Sequence, residues 1–165
     1  MMKEVTQHPS EVLHKATEPI SYFNNNELKS LIRDMKDTLK SENGAGIAAP
    51  QIGISKSVFV IPKKYAPKVR IWYDLSTWFR PVRQTIFINP RITYYSKDKK
   101  AASEGCLSVR GKFYPITRSE EVTLGAHNYT GKKFKVRAEG LLARIFQHET
   151  DHLNGIIFLD RLHEK

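Results

Sequence analysis

The sequence predicts an α+β fold, a compact single domain of mostly antiparallel strands around a buried helix carrying His148-Glu149-Thr150-Asp151-His152. Three observations lead there. Short segments alternate apolar with polar residues, two other segments repeat apolar residues at helical spacing, and the two kinds do not interleave in the strand–helix–strand order of a parallel sheet. With 165 residues and 40% hydrophobic content, the chain can build one proper core but not two comfortable ones, so residues 1–165 read as one domain.

Taken in order, the first regular element is a helix over residues 26–41. Leu28, Leu31, Ile32, Met35 and Leu39 fall at i, i+3, i+4 spacing; Asn24, Asn25 or Asn26 can cap the start, and Asn43-Gly44 ends it. Val58-Phe59-Val60-Ile61 and Thr85-Ile86-Phe87-Ile88 are β-branched and aromatic runs that read as strands. The connection from Pro62 to Arg83, with three prolines and both tryptophans, resembles an insertion, and its length favours a functional or flexible role over a plain turn. Val122, Leu124 and Ala126, then Phe134, Val136 and Ala138, alternate about Asn128-Tyr129-Thr130-Gly131 and predict an antiparallel hairpin. A second helix follows from residue 139 to about 153, with Leu141, Ile145, His148 and His152 on one stripe. Its inner side therefore passes from apolar packing to imidazole, which sets any bound ion beside a hydrophobic pocket.

No run approaches the roughly 20 apolar residues of a membrane span, and Met1-Met2-Lys3-Glu4-Val5-Thr6 lacks a secretion-signal core. Cys106 is the only cysteine, so an intramolecular disulfide is excluded and a reducing compartment fits best. The expectation is a soluble cytoplasmic protein, an organelle matrix being the other reducing setting, with no membrane partner. The formal charge of +10 is regional: residues 62–118 hold 13 basic and 3 acidic residues, and the rest of the chain balances. Such a field suits an anionic partner such as RNA.

The chemistry concentrates in the pentad. Residues four apart share a helix face, so the imidazoles of His148 and His152 can reach one metal ion, while Glu149, about 100° round the helix, stays free to move protons. A catalytic site needs a third protein ligand. His152-Leu153-Asn154-Gly155 begins like a metzincin, but Phe158 stands where that pattern needs histidine, and only 13 residues follow His152. The search turns upstream, to Cys106 in Glu104-Gly105-Cys106-Leu107-Ser108, whose thiolate suits a first-row metal. Sulfur and nitrogen ligands alone would favour zinc.

Gly44-Ala45-Gly46-Ile47-Ala48-Ala49-Pro50-Gln51, Glu104-Gly105-Cys106-Leu107-Ser108 and Gln147-His148-Glu149-Thr150-Asp151-His152-Leu153 resemble, in that order, the three motifs of the peptide deformylases. His8-Pro9-Ser10-Glu11-Val12-Leu13 with Ala16 and Pro19, and Gly155-Ile156-Ile157-Phe158-Leu159-Asp160-Arg161-Leu162, look like the family's first and last segments, so the likeness covers nearly the whole chain. It implies a hydrolase of protein biosynthesis that removes the N-formyl group of formyl-methionyl nascent polypeptides during translation and releases formate.

By that resemblance Cys106, His148 and His152 hold one divalent ion with a bound water, and Glu149 takes and returns the proton as general base and acid. Gln51, through its amide, and Leu107, through its backbone N–H, stabilise the oxyanion. Ala45, Gly46, Glu104, Gly105, Leu141 and Ile145 match the substrate-binding positions. The native ion implied is Fe2+, with Ni2+, Co2+ or Zn2+ as substitutes. Asp151 is a candidate to brace a ligand.

Three departures stand out. Val109-Arg110-Gly111 replaces the usual Val-Pro-Gly, Ile47 replaces leucine, and the sequence ends at Lys165 without the C-terminal helix by which some bacterial members reach the ribosome. The expectation is that the basic region 62–118 contacts ribosomal RNA instead. Two rival readings are an ordinary metallopeptidase and a basic RNA-binding protein with a structural metal site.

Overall fold

The computed structural model describes residues 1–69 and 82–163. Helix α1 (Asn26–Glu42) matches the apolar spacing of its sequence. Asn25 caps it by accepting a 2.8 Å hydrogen bond from Leu28 N–H, and Asn43 turns into the left-handed region to end it. A five-stranded antiparallel sheet follows in the order β1 (Ile47–Ala48), β2 (Val58–Val60), β5 (Ile86–Tyr95), β8 (Glu121–His127) and β9 (Lys133–Glu139).

The alternation along these strands separates two cores. Ala48, Phe59, Phe87, Val122, Leu124 and Phe134 face helix α2 (Gly140–Leu153), whose Phe146 closes an aromatic cluster with Phe59 and Phe87. Ile47, Val58, Val60 and Ile88 point the other way, against the apolar face of α1. Strand β2 is consequently buried on both faces, which explains why Val58-Phe59-Val60 is an unbroken apolar run.

Strand β5 continues beyond the Thr85–Ile88 run, through Pro90, to Tyr95. A register shift between Ile88 and Arg91 takes up the proline, Asn89 adopts a positive φ, and the Asn89 side chain bonds both polar groups of the Ile20 backbone. The hairpin of β8 and β9 forms as expected. At its end, β9 passes directly into α2 through Gly140, whose φ of +58° permits a corner that other residues would resist.

A second long hairpin, β6 (Lys99–Cys106) with β7 (Val109–Ser119), was not legible as strands. Most of its side chains are exposed or polar, so period-two alternation is weak. It packs against α2 and the turn Phe158–His163 around Leu13, Ile116, Ile157 and Phe158. Within the 62–83 connection, β3 (Lys68–Val69) and β4 (Val82–Arg83) pair as a two-stranded ribbon; residues 70–81, with Trp72 and Trp78, lie outside the described residues. Among the described residues no helix is long and apolar enough to cross a membrane.

Candidate metal centre and active site

Helix α2 presents His148, Glu149 and His152 toward the end of β6, where Cys106 precedes the two-residue turn Leu107-Ser108. The register slips between Gly105 and Cys106, so Arg110-Gly111-Lys112 bulge out of β7 at the cavity mouth. Bulges of this kind re-aim side chains beside active sites. One ligand atom each from Cys106, His148 and His152 lies within 4.8 Å of the others, and Cys106 Sγ is 3.2 Å from His152 Nε2. Cis ligands around a first-row ion stand roughly 3–4 Å apart at the usual bond lengths, so the donor set and spacing fit one divalent ion.

His148 is oriented from behind. Glu104 Oε1 sits 2.7 Å from His148 Nδ1, which leaves Nε2 for the ion. Arg118 clasps Glu104 with two hydrogen bonds and donates a third, of 2.5 Å, to Asp151, which also receives two from Arg161. Arg144 holds the second Glu104 oxygen at 2.9 Å. Burial pushes the Glu104 carboxyl upward in pKa, but the His148 and Arg118 hydrogen bonds outweigh it and hold it well below the usual range. Burial and the charges of His148 and Arg118 depress the His152 imidazole well below its ordinary value, which keeps its lone pair available.

Glu149 is 3% exposed, and its Oε2 is buried without a hydrogen-bond partner among the described residues. Burial, opposed by His148 and reinforced by Glu104, raises its carboxyl to about 7. That suits a group that must take and give a proton near neutrality. The carboxyl lies against Gly46, where any Cβ would collide with it.

Gln51 occupies the 3-10 turn Ala49–Ile52. Its Oε1 accepts a 2.8 Å bond from Ala48 N–H, so Nε2 faces the site, 3.6 Å from Cys106 Sγ and 3.3 Å from Ser108 Oγ. Ala45, Gly46, Gly105, Leu107, Leu141 and Ile145 line the same cavity of about 400 Å³. Leu141 is 56% exposed at its mouth, so the stripe on α2 is buried only from Ile145 inward.

The Glu104 carboxylate, which also lines the cavity, is held by His148, Arg118 and Arg144, and Asp151 pairs with Arg118 and Arg161. Arg118, counted in the basic region, is buried inside this network. Sequence reasoning missed Arg118, Arg144 and Ser108. Arg118 had a signal: it shares strand parity with buried Ile116, an unusual position for an unpaired cation.

A cysteine and two histidines holding a metal position, with a buried carboxylate beside them at the base of a cavity, define a metallohydrolase type of site. A sequence model of the polypeptide deformylases matches residues 2–165, and the chain belongs to that family. It is 38% identical to the peptide deformylase of Acidobacterium capsulatum over 162 residues, covering 98% of this chain and 87% of the relative. It is also 38% identical to that of Aquifex aeolicus over 165 residues, covering 98% and 88%. The fold superposes on a class I type b peptide deformylase from Acinetobacter baumannii bound to Met-Ala-Ser, with TM-score 0.83, 31% identity and coverage of 98% and 99%. A peptide deformylase from Legionella pneumophila gives TM-score 0.83 at 36% identity, covering 99% and 88%. The activity of this family is deformylation of nascent peptides, and its members are metal-dependent.

Proposed function

We propose that residues 1–165 act as one catalytic unit that hydrolyses the formyl amide of formyl-methionyl chains with Cys106, His148 and His152 as ligands of a divalent ion, Fe2+ by family resemblance and replaceable by Ni2+, Co2+ or Zn2+. One observation carries this reading: the Glu149 carboxyl, its Oε2 without a partner among the described residues, lines with the Gln51 amide the cavity beside the three-ligand cluster. The ion supplies Lewis acidity and makes hydroxide available near neutral pH.

Glu149 accepts the proton of the attacking water and delivers it to the leaving nitrogen, a cycle suited to a carboxyl whose pKa is about 7. Gln51 Nε2 donates to the developing oxyanion, its amide held the right way round by Ala48 N–H. The backbone N–H of Leu107, at the turn after Cys106, is the second donor. Ile145, Leu141 and the Gly105 backbone receive the methionine side chain, with Ala45 and Gly46 opposite. Glu104 serves substrate indirectly, by holding His148.

The reaction takes place in a reducing compartment, the cytoplasm or an organelle matrix, where the free Cys106 remains a thiol. Exposed Lys63, Lys64, Lys97, Lys99, Lys100 and Lys112 carry the contact with ribosomal RNA. Ribosome binding then weakens steeply as salt rises, and salt-insensitive binding would count against that contact. For the reaction itself, the metal-loaded protein is incubated with formyl-Met and unformylated Met peptides. Formate release from the first alone is expected; internal cleavage would assign an ordinary peptidase, and no release would overturn the proposal.

A further inference from the structure

The two oxyanion donors come from distant parts of the chain, Gln51 after α1 and Leu107 after β6, and one extended segment touches both turns. Residues 3–8 run from α1 to both turns. Thr38 Oγ1 accepts from Lys3 N–H at 2.9 Å, and Val5 is buried. Thr6 N–H donates to the Gln51 carbonyl at 2.9 Å, and His8 N–H donates to the Ser108 carbonyl at 2.8 Å. Between them, Gln7 Nε2 donates to the carbonyls of Leu107 and Val5, both at 3.0 Å.

We infer that this N-terminal segment is a strap that sets the spacing of the oxyanion donors, with Gln7 as its positioning residue. The Gln7 amide spends one hydrogen on its own segment and the other on the turn, so it cannot relax toward either without losing a bond. With His8 it grips two successive carbonyls of the Leu107-Ser108 turn, which orients the peptide that opens that turn. Thr6 does the same for the backbone of Gln51, while Gln51 Nε2 to Ser108 Oγ ties the two turns directly. Donors shifted by a fraction of an ångström lose much of their effect on a transition state while ground-state binding barely changes. Gln7 touches no substrate, so its influence belongs in kcat rather than KM.

The inference rests on Gln51 and Leu107 being the oxyanion donors, and the test separates the two ideas. Gln7→Ala and Gln7→Met, the latter keeping the side chain's length without its donors, are compared with Gln51→Ala and Thr38→Ala in the metal-loaded enzyme. The Gln7 variants should lose about ten- to a hundredfold in kcat with KM and metal content unchanged. Hydrogen exchange at the Leu107 and Ser108 amides should quicken in them. Thr38→Ala, which loosens the strap away from the site, should lower Tm and keep kcat. Wild-type kcat in both Gln7 variants alongside a crippled Gln51→Ala would overturn the strap alone. Wild-type kcat in Gln51→Ala as well would remove the oxyanion assignment and the strap together. Equal kcat losses in Thr38→Ala and the Gln7 variants would reduce Gln7 to a stability contact and overturn its positioning role.

Discussion

Glu104 of β6 and His148 of α2 are joined behind the candidate metal centre: a buried carboxylate oxygen lies 2.7 Å from the imidazole Nδ1. The hydrogen bond selects the tautomer that offers Nε2 to the ion and strengthens it as a donor. Glu104→Gln keeps the volume but loses the charge. Metal affinity should fall about ten- to a hundredfold, read by competition against a chelator of known affinity. Unchanged affinity would mean that His148 is oriented by packing alone.

Arg118 extends this link to Asp151, one turn further along α2, with side chains no more than 10% exposed at all three positions. Arg118→Met leaves two buried carboxylates with fewer counter-charges, and removing one partner of a buried ion pair costs about 3–5 kcal/mol. Urea unfolding should register a loss of that order. Adding Asp151→Asn should recover part of it, because the two residues share one interaction. Strict additivity would show that the pair does not couple.

The balance of legible and illegible features follows from where each residue's information lies. His148 and His152 were readable because helical periodicity alone puts them on one face, and the β8–β9 hairpin because its inward residues are all apolar. Strands β6 and β7 carry functional residues on a mostly exposed ribbon, so hydrophobic patterning had little to register. The ion pairs of Glu104 were not legible because its partners, Arg118 and Arg144, are 14 and 40 residues away in sequence. The strand seen in Thr85–Ile88 continues across Pro90 because a bulge absorbs the proline. Long-range pairing decided each of these, and a single sequence carries no local trace of it.

Gly46 is required by its neighbour rather than by its own backbone. A methyl group there would overlap the Glu149 carboxyl, and the helix that carries Glu149 is packed too firmly to retreat. Gly46→Ala should lower kcat about a hundredfold with metal still bound, since it displaces the proton carrier and leaves the ligands untouched. Colorimetric metal content and formate release, measured on one preparation, separate these effects. Loss of metal together with activity would place the strain on the ligands instead.

Glu149 also gives the metal-free protein a pH dependence of defined sign. The folded state holds its proton up to about 7, while an ordinary glutamate releases it near 4.5. Between these values the folded protein binds more protons than the unfolded chain, so this group's contribution to stability, complete below 4.5, declines as pH rises through 7. His152 acts in the opposite sense, because its depressed pKa keeps it neutral when folded while the unfolded imidazole takes a proton below about 6.5. The two slopes overlap in the wild type, so the informative quantity is a difference. Glu149→Gln retains His152 and removes only the carboxyl. Subtracting its unfolding free energy from that of metal-free wild type, from pH 4 to 8, should leave a term that falls steadily with pH. A flat difference would mean that the carboxyl is solvated when the ion is absent, and a rising one that a cationic neighbour has already ionised it.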